Sequence, residues 1–328
     1  VNLIRLHKDI NLFIKGFYIM IHKYLFFLAM FISTITRVNT IHGDLFNPIS
    51  SFFGGKPYET IIEKDYTLEN NGRISIKNTH GNISVRTGLD KKSVAIRAIK
   101  RAKAQEHLDH MHIIEEEVTQ TKLMLRTAYD YEKVKGTVDY VITIPENAVL
   151  HLNTDTGDID IHQVHGTIVA ATGSGNIIVE QPTDKVNATI TQQGNITINQ
   201  PKGNVQAMSN KGAVQIRDSV GNLSANVNQG KIDIRCKSLP AKREIRCSIK
   251  QGNISLYLPH NIQTSIIADA LEGTITSTQP ITLKPSTTVL NNDYWAHVRK
   301  HVNGYINNEA ASIKLSANHG DIKLFSIP

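Results

Sequence analysis

The chain has 328 residues, 40% of them hydrophobic but only 6% aromatic, with two cysteines and a formal net charge of +7. Such a composition suits a narrow core of Ile, Val and Ala, and the length fits either two domains or one elongated β fold. No Lys/Arg stripe interleaved with aromatics runs through the sequence repeats, so nucleic acid is not an expected partner.

The amino end reads as a targeting segment rather than as fold. "MIHKYLFFLAMFISTITRVNT" begins at Met20, with His22 and Lys23 ahead of an apolar run from Tyr24 to Ile35. That run has signal-peptide length and is short for a bilayer span. Residues 1–40 are therefore read as an over-extended start plus a signal peptide, with Met20 the true start. An uncleaved anchor from Ile10 to Ile35 is the rival, and only then would the chain touch a membrane. Export is expected, to the periplasm, the surface or the medium. Residues 41–65 read as a linker, and the domain as 66–328.

Next come "GRISI" at Gly72 and "GNISV" at Gly81, then "KSVAIRAIKRA", which alternates like a strand. "AQEHLDHMHI" reads as a short helical insert near 103–112. It brings Glu106, His107, Asp109, His110 and His112 close enough to suggest a metal site, though a solvated insert is the plainer reading and no metal is expected. "TKLMLRTAY" and "VDYVITIPENAVLHLNTDTGDIDI" read as strands. Asp155, Asp158 and Asp160 in the latter have the residue type of a glycosidase carboxylate set. Asp158, however, fills the slot that sister repeats give to Asn or Thr, which makes it a turn residue.

From Gly157 a glycine recurs every nine residues, at 166, 175, 194, 203, 212, 221 and 230, with Asp184 in one glycine place and one extra residue before Gly194. Apolar residues follow each glycine at the second and fourth positions, hence on one face of a strand. The fourth position alternates large and small (Ile198, Ala207, Ile216, Ala225, Ile234), so the true repeat is about eighteen residues. The pattern predicts an all-β fold, a parallel β-helix or solenoid of Gly-led strand units with two strands per coil. Each glycine is expected at a turn, using its freedom of φ. Asn176, Asn195, Asn204, Asn222 and Asn253 follow glycines and are expected to hydrogen-bond up the stack. A calcium-roll reading fails for want of a repeated Asp.

Cys236 and Cys247 should both point inward from neighbouring strands. In an oxidising compartment they could form a bridge; otherwise they are two buried thiols. Further on, "DYWAHVRKHVNGY" holds the only tryptophan, and Trp295, Arg299, Lys300 and Tyr305 form a candidate contact patch. Packing of Trp295 against the solenoid flank is the alternative.

The order of glycine-led strand, "AQEHLDHM" insert, "VDYVITIPENAVLHLNTDTGDI" and serial "GNIxI" coils resembles the DUF4097 adhesin-like family. "GNISLYLPHNIQTSIIADALEGTI" and "AASIKLSANHGDIKL" match its later segments. The resemblance covers about residues 66–328 and implies an exported, solenoid-like envelope or surface protein, with no catalytic residue or cofactor to carry over. A non-enzymatic adhesin-like or scaffold protein, binding an unidentified protein or glycan, is thus the first expectation. A carbohydrate-active β-helix enzyme, or an envelope-stress or ligand-sensing module, is the alternative.

Overall fold

The computed structural model describes residues 57–284 and 300–328, within a unit spanning Pro57–Pro328. The segment expected to direct export, and the start expected at Met20, lie outside these residues. The unit is all-β. Its strands in chain order are β1 (Tyr58–Thr67), β2 (Arg73–His80), β3 (Ile83–Thr87), β4 (Ser93–Ala102), β5 (Met111–Val118), β6 (Lys122–Tyr129), β7 (Gly136–Ile144), β8 (Val149–Thr156) and β9 (Ile159–His162). The repeats supply β10 (Ile168–Ser174), β11 (Ile177–Glu180), β12 (Val186–Gln193), β13 (Ile196–Asn199), β14 (Val205–Ser219), β15 (Leu223–Cys236) and β16 (Glu244–Pro259). After them come β17 (Thr264–Glu272), β18 (Ile275–Ser277), β19 (Thr282–Leu283), β20 (His301–Ile306), β21 (Ala311–His319) and β22 (Ile322–Ile327).

Two walls stack in parallel through the middle. In the first, β2, β8, β10 and β12 continue into the opening halves of β14, β15 and β16. In the second, β3, β9, β11 and β13 continue into the closing halves of the same three strands. Partners such as Ile168 and Val186, or Val186 and Val205, are eighteen or nineteen residues apart, which is one coil. Two strands per coil is therefore the observed repeat.

The two walls bury complementary rows. Ile161, Val179, Ile198, Ile216 and Ile234 align up the second wall, and Ala170, Ala188, Ala207 and Ala225 up the first. All nine are buried. Large against small keeps the gap between walls filled at constant width, and each buried Ile or Val contributes about 1.5–3 kcal/mol.

The corners differ in a way that the nine-residue period hides. At the first corner Gly157, Gly175, Gly194, Gly212, Gly230 and Gly252 all have φ between +127° and +149°. At the second, Gly166, Gly203 and Gly221 do not enter that region, and the positive φ falls instead on Gln163, Gln181, Gln200 and Asp218. Glycine is thus a dihedral requirement at every other turn only, and this is why Asp184 can stand in a glycine place. Polar side chains finish the first corner from inside. Buried Thr154, Thr172 and Ser209 donate to the carbonyls of Gly81, Gly157 and Gly194 at 3.1, 2.9 and 3.4 Å, satisfying groups that would otherwise be costly to bury.

Two expectations are corrected. Residues 58–65 are not linker. They lie in β1, antiparallel to β4, and the strand is mostly exposed, so it carries no apolar alternation to read. The helical insert shrinks to one turn, Glu106–Asp109, because Met111 is buried and begins β5 on β6. A separate finding is that coil order departs from chain order. The last segment, β21 and β22, inserts between β16 and the pair β17 and β18, so Gly320 rather than Gly273 stacks on Gly252. Both ends turn antiparallel, through β1, β4 and β7, through β5 and β6, and through β17, β20 and β19. Charged β1 and β5 form the outer strands at one end, where Lys64 and Tyr66 both meet Glu115, an arrangement that discourages edge pairing with other chains.

Candidate functional site

Every second residue of a wall strand faces outward. On the first wall these residues make continuous rows up the coils. One runs Asn187, Gln206, Ser224, Arg246, Lys314, and the next Thr189, Met208, Asn226, Ser248, Ser316. Amides and hydroxyls dominate both rows, and the cations gather toward β16 and β21.

Two open clefts cut this face. One, of about 360 Å³, is lined by Lys185, Asn204, Gln206, Asn222, Lys242 and Arg246 among others. The second, of about 310 Å³, shares Ser224 and Arg246 with it and extends to Ile267, Asp269 and Lys314. Together they form one groove across β14, β15, β16, β21 and β17, with Lys185, Asn204, Asn222 and Lys242 contributed by the turns ahead of the strands. Glu244 in its floor accepts from Arg246 at 2.8 Å and lies 3.2 Å from Lys314. The Arg246 guanidinium, then Lys314, hold its carboxyl below the usual range. Lys185 and Lys242 have no acid partner among the described residues. A third cleft, of about 380 Å³, sits over the first corner with Lys211, Lys250, Asn210 and Asn228 in its lining. On the second wall the rings of Tyr257 and Phe325 stack at 4.8 Å, half-exposed, in the row that continues from Arg235.

The sequence-predicted residues fall as follows. Cys236 and Cys247 are both buried and both free, so the bridge expected as one reading is absent. They occupy different rows: Cys236 aligns with Ser219 at the end of the second wall, whereas Cys247 stacks on Ala225 in the first. Burial pushes both thiols up, Cys236 to about 12. Trp295 and Arg299 lie outside the described residues. Lys300 is exposed, and Tyr305 is half-exposed on β20, where it pairs with Ser265 and Thr282.

Just beyond the single helical turn, His110 at its C-cap and His112 in β5 each reach Asp130, one per carboxylate oxygen, at 2.9 Å. These hydrogen bonds lower the Asp130 pKa. Among the described residues no three His, Cys, Asp or Glu side chains come together as a metal site requires. Of the "DTGDID" carboxylates, Asp158 accepts the Asn176 N–H at 2.7 Å, Asp160 pairs with His162 at 2.8 Å, and Asp155 is exposed.

Asp158 belongs to a ladder at the first corner. Asn82 accepts from the Asp158 N–H, Asp158 from Asn176, Asn176 from Asn195 and Asn195 from Ala213, each at 2.7–3.0 Å. Asn253 accepts from Asp321 at 2.8 Å, and at the second corner Asn222 accepts from Glu244 at 2.9 Å. Asn176, Asn195, Asn222 and Asn253 thus have the structural job that their position predicts, whereas Asn204 takes part through its backbone carbonyl, which accepts from the Val186 N–H. The groove was missed. Its members are spread over five strands and the turns ahead of them, and each alone looks like an ordinary outward residue; the available signal was the crowding of Lys and Arg between Lys185 and Lys250.

No protein-family model and no functionally curated protein matches the chain. Solved structures do. A "putative adhesin" from Bacteroides fragilis NCTC 9343 is 16% identical, with a TM-score of 0.38, covering 84% of this chain and 100% of its own. A "putative cell adhesion protein" from Clostridium sporogenes ATCC 15579 is 13% identical, with a TM-score of 0.28, covering 83% of this chain and 100% of its own. A "putative adhesin" from Parabacteroides distasonis ATCC 8503 is 12% identical, with a TM-score of 0.28, covering 80% of this chain and 97% of its own.

Proposed function

We propose that the chain is a non-enzymatic, exported adhesin-like or scaffold protein of the cell envelope or surface, binding partners through its β-solenoid wall. The groove around Arg246 carries this reading. It is shallow, runs across several coils and presents amides, hydroxyls and cations, which suits holding an extended partner rather than enclosing a small substrate. The DUF4097-like order of strands and the signal-peptide-like segment from Met20 support an exported place of action.

Hydrolysis of a glycan would need two carboxylates flanking one bond. The first cleft contributes Glu244, bound to Arg246, and the second contributes Asp269, bound to His301. These are the two carboxylates that the enzyme alternative would have to use. Capture of envelope components by the full chain, with product analysis of any bound polysaccharide, tests the reading. Retention of an intact partner is expected. Shortened chains on incubation would replace it with the enzyme alternative, and cytosolic fractionation would remove the export half.

A further inference from the structure

The positive charge of this chain is not spread evenly. Residues 185–250 hold eleven Lys and Arg against three Asp and Glu, a net of +8, while the whole chain nets +7. Everything else therefore sums to −1. Because successive coils stack at about 4.8 Å, this stretch of sequence becomes a compact zone of the solenoid rather than a dispersed one.

Within that zone the groove has a regular layout. Lys185, Asn204, Asn222 and Glu244 stand in successive coils on one row, each just ahead of the paired residues Val186, Val205, Leu223 and Ile245. Beside them run Gln206, Ser224, Arg246 and Lys314. The two clefts hold four cations, Lys185, Lys242, Arg246 and Lys314, against two carboxylates, Glu244 and Asp269. Polar neutral side chains fill the intervals.

We propose that this groove binds an acidic polysaccharide, a glycan chain carrying carboxylate or sulfate groups. The proposal rests on the partner-binding reading above and names its partner. Charge complementarity selects a polyanion, and Arg246 in particular offers a planar fork of donors that matches carboxylate or sulfate. The amides and hydroxyls at coil spacing supply donors and acceptors for sugar hydroxyls, which a bare polyanion would not need. Among the described residues no aromatic side chain lines either cleft, so these offer bases no stacking platform. The groove also lies on a sheet face with its backbone groups already paired, so an acidic peptide could not add as a strand.

The test uses the immobilised full chain with five probes: heparin, polygalacturonate, neutral dextran, poly-L-glutamate and single-stranded DNA. Heparin and polygalacturonate separate sulfate from carboxylate. Expected is saturable binding of at least one of these two, weakened more than tenfold between low and high salt, with dextran unbound and the other two polyanions at least tenfold weaker. The double variant Lys185→Ser/Lys242→Ser removes two charges and no ion pair, and is expected to weaken binding about tenfold. A charge-matched control, Lys133→Ser/Lys231→Ser, lies outside both clefts and is expected to bind as the parent does. Equal loss in both doubles, or equal binding of poly-L-glutamate or DNA, would overturn the proposal in favour of unspecific charge. Envelope capture that survives Lys185→Ser/Lys242→Ser unchanged would overturn the groove and leave the wall-binding reading standing. Absence of binding to both acidic polysaccharides also overturns the proposal, and the envelope capture then decides the broader reading separately.

Discussion

The carbonyl oxygen of Gly194 occupies the space that a side chain on Gly212 would need. A Cβ there would stand under 3.0 Å from it, with the backbone already at φ +139°. The same relation joins Gly175 to Gly157, Gly230 to Gly212 and Gly252 to Gly230, so the first corner is a column of glycine backbones in near contact. Gly203, at the second corner, meets Asp184 in a similar way but without the positive φ. Gly212→Ala therefore suffers both the dihedral strain, about 1–3 kcal/mol, and the crowding, about another 1–3 kcal/mol. Gly203→Ala suffers only the crowding. Chemical denaturation should place Gly212→Ala clearly below Gly203→Ala, and equal losses would mean that φ does not separate the two corners.

Asp158 gives a milder test at the same corner. Its carboxylate does what an asparagine amide oxygen does one coil on, accepting a backbone N–H. Asp158→Asn should leave the melting temperature within a degree or two of the parent. Asp158→Ala should lose about 0.5–1.5 kcal/mol, the net worth of one hydrogen bond. A large loss in Asp158→Asn would show that the charge itself matters, and would reopen a chemical role for this aspartate.

Legibility followed periodicity. Gly-x-Ile-x-Ile at nine-residue spacing gave the strands, the inward faces of Ile216 and Ala207, and the turn role of Asn176, because each is a local pattern repeated many times. The insertion of β21 between β16 and β17 was not legible: all three strands read alike, and pairing between residues as distant as Ile254 and Ile322 leaves no local trace. β1 was lost for the opposite reason. Its residues face solvent, so no alternation marks them. The groove residues were individually visible but not their assembly, since Lys185 and Lys242 come to line one cleft only after the coils between them have been stacked.

The two cysteines predict a simple titration. Both are buried, and their pKa values are raised chiefly by desolvation, so neither thiolate forms readily in the native state. Ellman's reagent should find no reactive thiol in the native protein and two after denaturation. None after denaturation would show that the pair is oxidised.

The same burial sets an alkaline limit. An unfolded cysteine ionises near the ordinary value of 9.0, whereas folded Cys236 keeps its proton to about 12. Tyr140 is raised from 10.0 to about 12, again mainly by burial. Between those limits the unfolded chain binds fewer protons than the folded one, so stability falls as pH rises from about 9 to 12 and is unaffected by these groups below that window. Cys236→Ala should make the decline shallower without abolishing it, as Tyr140 remains. A flat profile through that range would contradict the burial of both groups.

The strongest test of the core concerns Ala207. It stands between Ala188 and Ala225 in a column of alanines that ends at Leu152 on one side and Cys247 on the other. The second wall runs through the same coils with Ile198, Ile216 and Ile234, all fully or nearly fully buried. If the small column exists because the large one fills the space, adding volume at Ala207 must push the walls apart. Ala207→Leu is expected to cost about 1–3 kcal/mol by overpacking. Ile216→Ala is expected to cost about 2–5 kcal/mol by leaving a cavity. Combined, the two should cost less than their sum, as the volumes then nearly cancel. Gln206 and Gln215 sit beside these positions but face outward, and alanine at either should stay within about 0.5 kcal/mol. Urea melts of these variants decide it. A neutral Ala207→Leu with a severe Gln206→Ala would mean that the wall presents its other face to the core, and a one-residue slip of that kind would turn the groove residues inward as well.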